Sequence, residues 1–226
     1  MLWLGWGYWR LLIAPVPCRW SLLCRFLRID WHVLHGHSPA EMACISVAAF
    51  RARSRPGTWI EAGCWNGGSS AKFSLICHAL GYGLHIYDSF QGVEDVSNVP
   101  GEWDYSGQYA AAEGIVLENI RRYGCIEVCE THPGWFSETM SEPVPGPVCV
   151  AYVDCDIAKG TSDALRGIVP SLAPNGLVFS QDFHIGPVRK LLQNPDTWQA
   201  MSMRCHIFQC GEKLARLNIT TLSSVR

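Results

Sequence analysis

A chain of 226 residues is long enough for one well-cored domain with a modest extension, and 48% hydrophobic against 17% charged residues excludes a disordered polymer. The net charge of −2 is unevenly spread: residues 1–57 hold seven Arg against Asp30 and Glu41, whereas residues 58–226 hold eleven basic and eighteen acidic side chains. The larger part therefore lacks the basic surface that nucleic acid requires, and no nucleic-acid partner is expected.

The chain opens with MLWLGWGYWRLLIAPVPCRWSLLCRFLR, in which Trp3, Trp6, Trp9 and Trp20 alternate with arginines. Arg10, Pro15 and Pro17 break the apolar run, leaving it too short to span a bilayer. It also lacks the basic start and cleavage site of a signal peptide. Two readings stand: a helical extension packed on the main domain or on a second subunit, or a Trp-rich basic segment (residues 1–28) lying on a membrane. Next come His32, His35 and His37. They precede Ser38 as an N-cap, Pro39 at the first helical position and Glu41 closing a capping box. No Cys or carboxylate nearby completes a metal set, so a solvated turn is expected, followed by a helix to about Arg53 that Ser54-Arg55-Pro56-Gly57 stops. Residues 1–56 thus read as a helical extension and 57–226 as the main domain.

From residue 58 the pattern alternates. Strands are predicted at 58–64, 84–89, 126–131, 148–154 and 176–182, with helices at 68–80, 108–123, 159–172 and 186–194. This is the signature of an α/β fold: a doubly wound, mostly parallel, Rossmann-like sheet covered on both faces. The tail RCHIFQCGEKLARL reads as two strands around Cys210-Gly211, giving an antiparallel C-terminal edge. Eleven cysteines, an odd number without C-x-x-C pairs, supply no disulfide or zinc framework and suit reduced thiols in a cytoplasmic protein.

In such folds ligands sit at the carboxyl ends of the strands. The first strand ends in TWIEAGCWNGGSS, where Gly63, Gly67 and Gly68 allow close backbone approach and lead into a helix N-terminus. The spacing is G-x-x-x-G-G, which does not suit a dinucleotide pyrophosphate, although a tight strand–helix turn needs glycine in any case. The second strand ends at Asp88, an acid placed to accept hydrogen bonds from ribose hydroxyls or to cap a turn. Residues 91–108 follow as a long polar loop with Glu94, Asp95, Glu102, Asp104, Trp103 and Tyr105, suited to a lid over a sugar or to a plain surface loop. Asp154 and Asp156 end the fourth strand; Gln181, Asp182 and His184 end the fifth. Carboxylates converging there bind a hard cation or act as bases, unless they merely cap the following helices.

The segments EAGCWNGGSS, YDSFQG, HPGWFSETM, YVDCD and SQDF resemble, in that order, the macrocin O-methyltransferase family of class I S-adenosylmethionine-dependent enzymes. The resemblance covers about residues 57–195. It implies that Glu61, Gly63 and Gly67 hold the methionine part of the cofactor, that Asp88 binds the ribose, and that Ser89, Phe90 and Trp135 lie by the adenosine. Asp154 and the pair Gln181-Asp182 match metal-binding positions, with Mg²⁺ expected, and Asp156 matches a further acid. Gln181 departs from the family's acid: an amide oxygen ligates a cation without neutralising it. The implied reaction is in-line methyl transfer to a hydroxyl of a sugar, glycan or glycosylated small molecule, with Asp154, Asp156 or His184 as base. A fold-conserving but non-catalytic membrane-proximal or partner-binding subunit, or a homo-oligomer, is the competing reading; a nicotinamide oxidoreductase is disfavoured by the glycine spacing.

Overall fold

The computed structural model describes residues 7–14, 16–52 and 57–222. Trp3, Trp6, Pro15, Arg53 and the Ser54-Arg55-Pro56 stop lie outside the described residues. The N-terminal part forms α1 (Trp9–Ile13), α2 (Arg19–His32) and α3 (Pro39–Ala52). The main part follows as β1 (Thr58–Ala62), α4 (Gly68–Leu80), β2 (Gly83–Asp88), α5 (Glu113–Tyr123), β3 (Cys129–Pro133), α6 (Phe136–Thr139), β4 (Val148–Val153), α7 (Ala158–Ile168), β5 (Leu172–Ser180), α8 (Gly186–Gln193), α9 (Pro195–Gln199), β6 (Met203–Gln209) and β7 (Ala215–Thr221).

The seven strands form one sheet in the order β3-β2-β1-β4-β5-β7-β6. Strands β1 to β5 pair in parallel, and β7 joins β5 antiparallel, with β6 outside it. The expected doubly wound sheet with an antiparallel C-terminal edge is therefore present. A parallel sheet needs cover on both faces, and the central strands are apolar accordingly. Trp59, Val150, Tyr152, Leu177 and Phe179 pack to one side; Ile60, Ala62, Ala151, Val153 and Val178 pack to the other.

The first side is shared with the N-terminal helices. Tyr8, Leu11, Phe26 and Ile29 are completely buried in the same core as Trp59 and Phe73. The extension thus packs on the main domain, while Trp9, Ile13, Trp20, Trp31 and Leu34 face outward. Among the described residues no helix is long and apolar enough to cross a membrane. The capping box is formed: Glu41 Oε2 accepts from the Ser38 N–H at 2.9 Å and from its hydroxyl at 2.8 Å.

Several element boundaries differ from the sequence pattern: β5 begins at Leu172 rather than near 176 and ends at Ser180, and β1 and β4 end at Ala62 and Val153, slightly early. Residues 126–128 form a 3₁₀ turn, so β3 starts three residues later than predicted. Helix α5 starts at Glu113 rather than near 108, because Tyr109 adopts a left-handed φ of 57° that ends any helix there. Helix α7 stops at Ile168, and Pro170 sits in a 3₁₀ turn leading into β5.

Candidate active site

The strand order reverses between β1 and β4, and there the carboxyl ends of the parallel strands open onto a cavity. Gly63, Gly68, Asp88, Ser89, Trp135, Asp154, Asp156, Gln181, Asp182 and His184 all line it. The predicted site residues Glu61, Gly67 and Phe90 are not among the lining residues. Glu61 is fully buried, and neither of its carboxyl oxygens has a hydrogen-bond partner among the described residues. Burial pushes its pKa up to about 8, with Ser69 and Ser70 opposing the rise. Gly67 has φ 78° at the N-terminus of α4, where a Cβ would lie 2.9 Å from the Val116 side chain. Gly63 has φ 88°, and a Cβ there would lie 1.8 Å from the Asp154 carbonyl oxygen. Only glycine lets the ends of β1 and β4 approach so closely.

Asp88 organises the loop above β1. Its Oδ2 accepts the Cys64 N–H at 2.7 Å and its Oδ1 accepts the Phe90 N–H at 2.7 Å. Each carboxylate oxygen can accept a second bond, and the side chain lines the cavity. Opposite it, the carboxyl oxygens of Asp154, Asp156 and Asp182 all lie within 4.8 Å of one another. Asp182 Oδ2 accepts the N–H groups of Cys155 and Asp156, both at 2.8 Å, and Asp154 Oδ2 accepts the Tyr152 hydroxyl at 3.1 Å. Asp156 sits at a left-handed φ of 61°. Burial, reinforced by Asp182, pushes its pKa up to about 8, with Lys213 opposing. Burial and the neighbouring acids push Asp154 well up, and burial also raises Asp182. Three carboxyls this close share protons or a cation.

Gln181 is held from outside the main domain. Its Nε2 donates to Glu41 Oε2 at 3.2 Å, while its Oε1 is buried without a partner among the described residues. Glu41 Oε1 in turn accepts the Lys213 N–H at 3.1 Å. The start of α3, the end of β5 and the β6–β7 hairpin are thereby tied together at the cavity wall.

The histidine turn is not solvated as the sequence suggested. His37 is buried, His35 stacks on it with ring centroids 4.2 Å apart, and both line the cavity. Asp30, at the end of α2, accepts from Tyr8 at 2.7 Å and pairs with His35 at 2.9 Å and with Lys72. Lys72, on α4, is completely buried and lies 2.6 Å from His37 Nε2. An ammonium already stands where these side chains converge, which argues against a metal there. Partners 42 and 35 residues apart leave no local trace in the sequence.

The loop at 91–108 covers the cavity mouth and is anchored. Glu102 caps the start of α7, accepting the Ala158 and Lys159 N–H groups at 3.1 and 2.8 Å. Glu94 pairs with Lys159 at 2.7 Å. Asp95 and Asp104 accept N–H groups of their own turns. The acids of the loop are thus mostly engaged within the protein, whereas Tyr105 and Tyr109 face the cavity together with Trp65 and Trp135. Trp65, Tyr109, His35, His37 and Lys213 were not legible as site residues. Trp65 gave a signal as an aromatic inside the glycine turn, and His35 and His37 gave one only as members of a histidine triplet that was read as a solvated turn.

Residues 42–202 match the family model described as Macrocin-O-methyltransferase (TylF). The chain belongs to the macrocin O-methyltransferase family. Members are S-adenosylmethionine-dependent O-methyltransferases, and that is this chain's activity and cofactor. A curated relative, the 8-demethyl-8-(2,3-dimethoxy-alpha-L-rhamnosyl)-tetracenomycin-C 4'-O-methyltransferase of Streptomyces olivaceus, is 29% identical over 180 residues, covering 73% of this chain and 69% of the relative. Among solved structures, the O-methyltransferase NovP aligns with TM-score 0.66 and 23% identity over 80% of each chain. The calicheamicin methyltransferase CalS11 aligns with TM-score 0.65 and 17% identity over 95% of this chain and 90% of its own. At those identities the two structures establish the fold.

The residues present fit the cofactor of the macrocin O-methyltransferase family. A carboxylate with spare acceptor capacity at the end of β2, the start of α4 and the aromatic Trp135 surround one cavity. They also fit a hard divalent cation, because three close carboxyls whose charge is unfavourable in isolation stand beside the unpartnered amide oxygen of Gln181.

Proposed function

We propose that this methyltransferase modifies a hydroxyl of a sugar or of a glycosylated small molecule, with Asp156 as the base. The observation that carries the reading is the carboxyl cluster of Asp154, Asp156 and Asp182 facing Asp88 across a cavity walled by aromatic rings. Aromatic faces stack on the apolar side of a sugar ring, and Trp103, Tyr105 and Tyr109 on the anchored loop suit that role. The rhamnosyl acceptor named for the Streptomyces olivaceus relative supports the same substrate class.

S-adenosylmethionine, when bound, supplies the methyl as a group on a positively charged sulfur. A divalent cation held by Asp154, Asp182 and the Gln181 amide oxygen would favour loss of the acceptor's hydroxyl proton. The chain's own residues do the rest. Asp88 positions the ribose, and the Gly63 turn sets the distance between the ends of β1 and β4. Asp154 and Asp182 are each held by protein donors, so Asp156, which lines the same cavity, is the group best placed to take a proton from the acceptor. His184 is the alternative base, its buried Nδ1 having no partner among the described residues. Holding hydroxyl and methyl in line contributes further acceleration.

The outward face of α1 and α2, with Trp9, Ile13, Trp20 and Trp31 beside Arg10 and Arg19, supports docking on an anionic membrane surface or on a second subunit, with the enzyme working in the cytoplasm. The test of the acceptor class is transfer of isotope-labelled methyl to a panel of rhamnosides, nucleotide-linked deoxysugars and phenols. Label is expected on a sugar hydroxyl; label confined to phenols contradicts the reading.

A further inference from the structure

We propose that His85, Glu130 and His132 form a binding site for a divalent transition metal of the zinc class, on the outer strands of the sheet and separate from the carboxyl cluster. Strands β2 and β3 are parallel neighbours, with His85 opposite Glu130 and Tyr87 opposite His132. Side chains two apart along a strand share a face, so the register places all three groups on one side of the sheet's edge. His85 Nδ1 lies 2.9 Å from His132 Nε2 and 3.6 Å from Glu130 Oε2, and His132 Nε2 lies 3.8 Å from Glu130 Oε1. The two imidazole nitrogens and the Glu130 carboxyl group form a triangle whose candidate ligand atoms all lie within 4.8 Å of one another, so a small ion between them can reach each group at the usual Zn–N and Zn–O bond length of about 2 Å. Because β3 is an edge strand, the side away from the protein stays open for a water as fourth ligand.

The donor set selects the ion. Two imidazoles and one carboxylate suit zinc, copper or nickel, whereas magnesium prefers oxygen throughout. The rings are pre-oriented: Tyr87 stacks on His132 with centroids 4.2 Å apart and planes 9° from parallel. Burial lowers the pKa of both histidines, which keeps them in the neutral form that ligates. A direct hydrogen bond between two imidazoles explains one edge of the triangle, but not why the exposed Glu130 carboxylate turns to the same point. The other two such clusters are poorer. Lys72 stands among Asp30, His35 and His37, and the cluster of His78, Cys125 and Glu127 has two strongly exposed members. His132 is followed by the Pro133-Gly134-Trp135 turn, and the Gly134 N–H donates to the Asp88 carbonyl at 3.0 Å. An ion here would therefore brace the turn that carries Trp135 into the cofactor cavity.

The experiment is a cobalt titration of the tag-free, chelator-stripped full chain in excess Mg²⁺, read by the visible absorption of Co²⁺ and followed by displacement with Zn²⁺. One equivalent is expected to bind. His85→Gln and His132→Gln should each weaken binding by about 10- to 100-fold or more, and Glu130→Gln by about tenfold. Asp154→Asn should leave the signal in place. Glu130 is 66% exposed, so its variant folds and keeps the test decisive if a histidine variant does not. Absence of a saturable one-equivalent signal overturns the proposal. So does a signal that survives Glu130→Gln unchanged, or one that disappears in His78→Gln instead.

Discussion

Replacing Gln181 by Asp restores the acid expected of the family but puts it against Glu41. Both side chains are only 3% exposed. Burial raises the Glu41 pKa, yet the Ser38 N–H and hydroxyl, the Gln181 amide and the Lys213 N–H together outweigh burial and hold the carboxyl below its usual range. Gln181→Asp removes one of those donors, worth about 1.5–3 kcal/mol for a bond to a charged group. It also adds a second buried acid beside the first, bringing the expected loss to about 3–5 kcal/mol. Urea unfolding of the single variants and of Glu41→Gln/Gln181→Asp closes a double-mutant cycle. The single Gln181→Asp change should be strongly destabilising, and Glu41→Gln should recover about 2 kcal/mol or more of that loss, since a neutral amide can donate to the new acid. A Gln181→Asp protein as stable as the parent, with no coupling to Glu41, refutes the argument that Gln181 belongs to this buried pair.

Other outcomes follow from the same geometry. A chain beginning at Asp30 loses Tyr8, Leu11, Phe26 and Ile29 from the core, each worth about 1.5–3 kcal/mol when buried. Its thermal transition should drop sharply or vanish in calorimetry, and a protein that stays folded would show that the extension is dispensable. Lys72→Met should cost about 3–5 kcal/mol by stranding Asp30, and Asp30→Asn in the same chain should restore part of it in denaturant unfolding. Glu61 has a folded pKa raised to about 8 from the ordinary 4.5, so the folded state binds the proton more tightly. Its contribution to stability is present at low pH and is lost as pH rises between those values. Glu61→Gln should flatten the decline in melting temperature from pH 5 to pH 8, and an unchanged slope would show that the carboxyl is not strained.

Much of the sheet was legible because its strands are nearly continuous apolar runs and its turns carry glycine. The glycine turn, Asp88 and the acids after β4 and β5 were legible for a related reason: topology alone brings strand ends together. What stayed hidden depends on distant partners or backbone specials. Strand β3, Cys129–Pro133, is a polar edge whose short sequence carries no alternation, so the strand itself was anticipated but its start was placed three residues early. The left-handed Tyr109 cut a good helical run short and turned an aromatic toward the cavity. Lys72 reads as an ordinary helix lysine until Asp30 and His37 arrive from another element, and Glu41 reads as a capping residue although it also holds Gln181.

The most direct test of the chemistry is methyl transfer by Asp156→Asn with an accepted sugar substrate, measured beside calorimetric binding of S-adenosylmethionine to the same protein. With Asp156 as base, cofactor affinity should change little while turnover falls by about 10²–10⁴-fold. Turnover within a few-fold of the parent would contradict the account and move the base elsewhere, with His184 the next residue to replace.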